Sequence, residues 1–247
     1  LSAIDVVILT WNDGELLDAA VRSALCSNDV DVRITVVDNG SEPPATVVDD
    51  PRVSLIRNPE NVGVAAGRNI GAAQGRSDLV CFLDSDARLE PDCLSKLQRV
   101  IDGQSNVALA APVFTDQVPE ASAGRGPSWM RKVARGLGLT SVYRPAKSAD
   151  IGPWWEIDFA IGACQLFRRS AFEAIGGFNT DYFYGPEDID ACRRLRLLHL
   201  RSVQVADAHC DHPPRRRHRR LFTGAGLRHG LALVRYYLRV DQAHSLP

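Results

Sequence analysis

The stretch Leu79-Val80-Cys81-Phe82-Leu83-Asp84-Ser85-Asp86 runs five apolar residues into two carboxylates that flank one small side chain. A short apolar run of this kind suits a strand buried on both faces. In open α/β sheets ligands bind beyond the carboxyl ends of the strands, which is where Asp84 and Asp86 would then stand. Magnesium and manganese favour carboxylate and water oxygens and complete their shells with substrate phosphates. A lone Asp-x-Asp mostly marks a turn, whereas one that ends a buried strand favours a metal site.

Working outward, strand and helix signals alternate. Residues 4–10 are an apolar, β-branched strand, 16–25 carry helical spacing, and 32–37 and 53–56 are further strands. Residues 64–74 are an Ala-rich helix. A helix over 91–101 begins with proline and stops at Gly103, and a strand follows over 107–113. The alternation predicts an α/β fold with a mostly parallel central sheet flanked by helices. Polar residues gather at the predicted strand ends: Thr10 and Asn12, Asp38 and Asn39, Asp84 and Asp86. Asp38-Asn39-Gly40 on its own is as much a turn as a site.

Residues 115–153 are rich in Gly, Pro, Ser and Arg and read as a long, partly mobile loop of the kind that serves as a lid. Beyond it, 157–167 resume a strand pattern, 170–175 form a short capped helix broken by Gly176-Gly177, 189–198 are helical and 202–205 strand-like.

Bulk properties narrow the field. The 247 residues are 45% hydrophobic and 24% charged, with a formal net charge of −1, so no global field draws the chain to nucleic acid. The six cysteines form no Cys-x-x-Cys pair, which favours buried thiols in a reducing compartment over disulfides or zinc. The first residues have no basic lead, and no apolar run is long enough to cross a bilayer, so the expected location is cytoplasmic. Residues 213–247 form a basic tail: Arg215 to Arg220 read Arg-Arg-Arg-His-Arg-Arg, and Leu227, Leu231, Val234 and Leu238 recur at helical spacing. Two readings of this C-terminal amphipathic helix stand side by side, one lying on an anionic membrane surface and one packed on the domain with its arginines solvated.

The ordered set of motifs resembles the family 2 glycosyltransferases of the GT-A fold over residues 3–212. The set comprises Val7-Ile8-Leu9-Thr10-Trp11-Asn12, Val36-Val37-Asp38-Asn39-Gly40-Ser41, Asn58-Pro59-Glu60-Asn61-Val62-Gly63, Gly67-Arg68-Asn69 and Leu83-Asp84-Ser85-Asp86. Gly162-Ala163-Cys164, Gly176-Gly177-Phe178 and Pro186-Glu187-Asp188-Ile189-Asp190 with Arg193 complete it. Its second half is similar to the rhamnosyltransferase-like branch.

The resemblance implies a nucleotide-sugar-binding half over 1–114, an acceptor and catalytic half over 154–212, and a nucleoside-diphosphate-sugar donor such as dTDP-rhamnose or a UDP-hexose. It gives Thr10, Asn12 and Asp38 to the base and ribose, and Gly63, Arg68, Asn69, Asp84 and Ser85 to the nucleotide, with Arg68 offsetting phosphate charge. Asp86, helped by Asp84 and His212, would hold Mn2+ or Mg2+. His209 is the competing histidine. Asp188 would be the base in an inverting transfer to a glycan or glycolipid hydroxyl, with Glu187 orienting it or the acceptor. Asp158, Gly162 and Ala163 would lie near the acceptor. Two departures stand out: Trp11 replaces the usual tyrosine, and Pro213-Pro214 replaces a small, Gly- or Ser-rich run after the histidine.

No Gly-x-Gly-x-x-Gly follows the first strand, which gives a nicotinamide dehydrogenase poor support, and Trp11-Asn12-Asp13-Gly14 is not the basic Gly-rich loop of a nucleotidyltransferase. The alternative of another class is a degenerate, non-catalytic protein that binds nucleotide sugars or scaffolds a membrane complex.

Overall fold

A computed structural model describes residues 3–115, 123–124 and 152–213. Most of the expected loop over 115–153 and nearly all of the tail over 213–247 lie outside the described residues. Strands β1 (Ile4–Thr10), β2 (Val32–Asp38), β3 (Val53–Arg57) and β4 (Leu79–Asp84) form where the apolar runs predict them. They lie in the parallel order β3-β2-β1-β4. β6 (Val107–Phe114) pairs in parallel with β11 (Arg201–Asp211), and β10 (Cys164–Arg168) lies antiparallel between β4 and β6. The sheet is therefore mixed: a parallel half carries the first motifs, and an antiparallel strand joins it to the second half.

Helices cover both faces. One face receives Leu17, Ala20, Val21 and Ala24 of α1 (Glu15–Leu25) and Leu94, Leu97 and Ile101 of α3 (Cys93–Gly103), against Ile4, Val6, Ile8, Cys81 and Leu83. The other receives α2 (Val64–Ala72), α4 (Arg169–Ala174) and α5 (Glu187–Leu197) against Val7, Val80 and Phe82. Alternate residues of each strand thus enter opposite cores, as the period of two requires. Phe82, Phe167, Phe172 and Phe178 form a ring cluster with centroids 4.8–5.9 Å apart, which places the Gly-Gly-Phe motif in the core. Gly67 and Gly71 let α2 approach β1 closely: a Cβ at either would come within 2.5 Å of Leu9 or 2.3 Å of Val7.

Several expectations needed revision. The single strand over 157–167 is three short ones, β8 (Trp154–Ile157), β9 (Phe159–Ala160) and β10, because the chain turns at Gly162. A two-residue strand β7 (Ala123–Gly124), inside the expected loop, pairs with β9. The short helix α4 starts at Arg169 and has no side-chain cap, and α5 starts at Glu187, two residues before the expected 189. The strand over 202–205 continues to Asp211, and β5 (Arg88–Leu89), invisible in the sequence, pairs with its end. Every cysteine except Cys26 is buried, and all six are free thiols. Cys164 sits among Cys210, Cys81 and Cys93, whose hydrogen bonds, with burial, push its thiol well above the usual range. No described helix is long and apolar enough to cross a membrane.

At the sheet end opposite the carboxylate motif, Asp5 and Arg169 form a buried ion pair at 2.7 Å. Ser77 gives both its N–H and its hydroxyl to Asp5, and Arg169 also donates to the carbonyls of Ser77 and Ala72. Removing one partner of such a pair leaves an uncompensated buried charge. Arg169→Met is therefore expected to lower the unfolding free energy by about 3–5 kcal/mol, measured by urea denaturation. A loss below about 1 kcal/mol, the size of an exposed pair, would contradict the burial.

Candidate active site

Strand register aligns the polar ends. Thr10 lies opposite Asp38 and Leu9 opposite Asp84, so the three motifs open on one rim. Trp11 is 53% exposed there, and Thr10 Oγ1 is buried with no hydrogen-bond partner among the described residues.

Asp38 is wholly buried and differs from the sequence picture of a carboxylate facing a base. Its oxygens accept the N–H groups of Ser41 (2.8 Å) and Ala45 (3.0 Å) and a bond from Arg57 (2.9 Å). Against the effect of burial, these donors hold its pKa below the ordinary carboxylate value. Asp38 thus shapes the loop after β2. Asn12, at φ 59°, joins that loop by donating its N–H to Ser41 Oγ and accepting the Glu42 N–H.

The asparagine motifs are also internal. Asn39 Oδ1 accepts from Asn58 and the Val62 N–H, and Asn39 Nδ2 donates to Asn61. Asn61 Oδ1 accepts the Gly63 N–H. Asn69 meets Phe178 like a backbone strand, donating to its carbonyl at 2.8 Å and accepting its N–H at 2.9 Å. Sequence reasoning placed Asn69 near the nucleotide; the geometry makes it a latch between the two halves.

The acidic cluster lies at the end of β4. Asp84, Asp86 and His212 offer ligand atoms that all lie within 4.8 Å of one another. His212 Nε2 is 3.6 Å from Asp86 Oδ1, and its ring lies 5.3 Å from that of Phe114. The strand β5 explains this approach. Leu89 pairs with Cys210 and Arg88 with Asp211, so the chain leaving β11 passes beside the residues just after Ser85. His209 instead sits opposite Val113, three positions back, and it is His212 that joins the aspartates. Two carboxylates and an imidazole suit Mn2+ or Mg2+ and leave coordination positions for water and phosphate. Ser85 Oγ donates to Asp13 at 2.5 Å, fixing the turn between the aspartates to the loop after β1.

Asp188 stands in the first turn of α5, where the helix dipole favours a negative charge. Its Oδ2 accepts the Gly162 N–H at 3.1 Å and its Oδ1 the Ile189 N–H at 2.8 Å. Burial still raises its pKa above that of an ordinary aspartate, against those N–H groups and Arg68. Glu187, 5% exposed, is pushed up to about 7 by burial and by Asp188, with Arg68 opposing. Its Oε2 is buried without a hydrogen-bond partner among the described residues.

Arg68 joins these groups. It is 3% exposed and donates to Asp84 Oδ1 (2.6 Å), the Gly162 carbonyl (2.8 Å) and Glu187 Oε1 (3.4 Å). Burial works against its charge, but Asp84 and Glu187 outweigh burial and hold its pKa above the usual value. Gly162 and Ala163 are buried, and Ala163 accepts the Asp84 N–H, so both sit behind the cleft. Asp158 is paired with Arg196.

Three residues were not foreseen. Tyr184 has its pKa raised to about 12 by burial and by the charges of Asp84, Glu187 and Asp188. Phe183 closes over Gly63: its carbonyl accepts the Val64 N–H at 2.8 Å, and a Cβ on Gly63 would lie 2.7 Å from that oxygen. Arg57 pairs with Asp38 from the facing end of β3. An aromatic pair just before Gly185-Pro186, and an arginine ending a strand beside Asp38, are the signals that could have found them.

Comparison with known proteins fits this arrangement. An N-acetylglucosaminyltransferase of Rhizobium meliloti is 27% identical over 82% of this chain and 48% of its own. An N-acetylglucosaminyl-diphospho-decaprenol L-rhamnosyltransferase of Mycobacterium tuberculosis is 26% identical over 85% of this chain and 75% of its own. The chain thus spans about half the length of the first relative and three quarters of the second. Among solved structures, a mannosyltransferase of Pyrobaculum calidifontis in complex with GDP-Man and Mn2+ superposes with a TM-score of 0.68. That match covers 98% of this chain and 64% of the other at 17% identity. GalNAc-T7 with UDP, GalNAc and Mn2+ gives a TM-score of 0.66 over 87% of this chain and 44% of its own, at 16% identity. These likenesses identify the fold as GT-A. Residues 5–176, more than half of the chain, match the family described as glycosyl transferase family 2, and the chain belongs to that family.

Proposed function

We propose that this chain transfers a sugar, with inversion, from a nucleoside-diphosphate sugar to a hydroxyl of a glycan or glycolipid. The observation that carries the reading is the grouping of Asp84, Asp86 and His212 on the sheet rim where Arg68 holds Asp84 and the Gly162 N–H holds Asp188. The relative from Mycobacterium tuberculosis is named for an L-rhamnosyl group and a diphospho-decaprenol-linked acceptor. We take dTDP-rhamnose and a polyprenyl-diphosphate-linked sugar as the first pair to try, with UDP-hexoses next. A lipid-linked acceptor would suit the basic tail lying on an anionic membrane surface, with the protein on the cytoplasmic side.

Asp86, Asp84 and His212 would hold Mn2+ or Mg2+. Bound there, the cation would supply Lewis-acid stabilisation of the charge that grows on the departing diphosphate. Thr10, Asn12 and the loop fixed by Asp38 would form the wall for base and ribose, with Trp11 as a stacking surface and Gly63 and Ser85 alongside. The acceptor oxygen forms its bond to the anomeric carbon as the bond from that carbon to the phosphate oxygen breaks. Asp188 takes the acceptor proton. Glu187, beside it, would orient the acceptor.

Asp188→Asn should abolish transfer while leaving nucleotide binding near normal, read by product formation and by calorimetry. Near-normal turnover in this variant would make Asp188 the wrong base. The sign of the pH effect follows from the raised pKa of Asp188. The base works ionised, so kcat should fall as pH drops through its raised pKa, at a pH above the range in which an ordinary aspartate would cause the fall. A flat profile down to pH 4 would sink the assignment. His212→Ala should weaken Mn2+-dependent nucleotide binding by at least about tenfold, the size of loss seen for outer partners of metal ligands. His209→Ala should leave it unchanged; the reverse pattern would exchange the two histidines.

A further inference from the structure

Within the proposed transferase site, Arg68 is enclosed in a way that does not suit a phosphate ligand. Asp84, the Gly162 carbonyl and Glu187 take its N–H groups, and its Cζ stands 5.6 Å from the centre of the buried Phe178 ring. The backbone closes over it: a Cβ on Gly162 would lie 2.5 Å from Nη1. Reaching a diphosphate in the cleft would break these charge-assisted bonds. Gly162 meanwhile faces two ways, giving its carbonyl to Arg68 and its N–H to Asp188.

We propose that Arg68 is a positioning residue and not a phosphate ligand: it ties Asp84, the Gly162 backbone and Glu187 to one buried cation, and so fixes the cation-binding aspartates relative to Asp188. The inference rests on the transferase reading for its purpose but on these contacts for its geometry. Without Arg68, the like charges of Asp84, Glu187 and Asp188 would repel one another, and the donor site would lose its link to the base.

The test compares Arg68→Met, Arg68→Lys and Gly162→Ala with the unaltered chain, titrating UDP and dTDP by calorimetry with and without MnCl2. For a positioning residue, metal-free nucleotide affinity stays within about twofold in Arg68→Met, while the gain conferred by Mn2+ shrinks about 10–100-fold, as for other residues that orient metal ligands. Lysine reaches fewer of the partners and should give an intermediate loss. Gly162→Ala keeps the positive charge but displaces the guanidinium, and should reproduce the methionine result. It also carries the test if Arg68→Met fails to fold. Equal loss of affinity with and without Mn2+ in Arg68→Met would mark a direct phosphate contact and overturn the proposal. An undiminished Mn2+ gain in all three variants, or no Mn2+ gain in the unaltered chain, would also overturn it. Because the readout is binding, failure of the unaltered chain to turn over any donor would count against the transferase reading and leave this comparison decisive for Arg68.

Discussion

The site depends on one constraint: three acidic side chains from distant parts of the chain must stand close together in a partly dry cleft. Asp84 ends β4, while Glu187 and Asp188 open α5 more than a hundred residues later. Left alone they would repel, and burial would drive them to take up protons. The guanidinium of Arg68 answers that repulsion, and α2 can bring it there because glycines at 67 and 71 let the helix lie close on β1. The raised pKa values of Glu187 and Asp188 show that the compensation is partial. That suits a base, which must be able to accept a proton.

The second half of the chain builds the rest by pairing. The antiparallel β10 places Gly162 and Ala163 behind Asp84, and β11 runs to the edge of the site, where β5 brings the following histidine beside Asp86. Asn69 fastens the Gly-Gly-Phe segment to α2, and the Phe178 ring then fills the core below Arg68. One residue pair thus serves packing and site geometry together.

The sequence made the parallel half legible because its strands are continuous apolar runs that stop at polar residues. Asp84 and Asp86 stand out from the same pattern and His212 from the family resemblance, and the three come together. Side-chain direction was less legible. Asp38, Asn39, Asn58, Asn61 and Asn69 sit in motifs that suggest ligand contact, yet their hydrogen bonds run to the protein's own backbone and side chains. A motif fixes residue type and spacing, and an amide or carboxylate can serve a loop as well as a ligand. The resemblance gives Arg68 the task of offsetting phosphate charge for the same reason; its burial follows from contacts 94 and 119 residues away. The short strands were missed because two residues carry no periodicity, and β5 and β9 owe their form to the partners they meet.

The most direct measurement is anomalous diffraction at the manganese edge from crystals grown with Mn2+ and UDP or dTDP. The account predicts a manganese peak bounded by Asp84, Asp86 and His212 and touching the diphosphate, with Arg68 still paired to Asp84 and Glu187. Bound nucleotide with the metal peak elsewhere, or with Arg68 turned onto a phosphate, would contradict it.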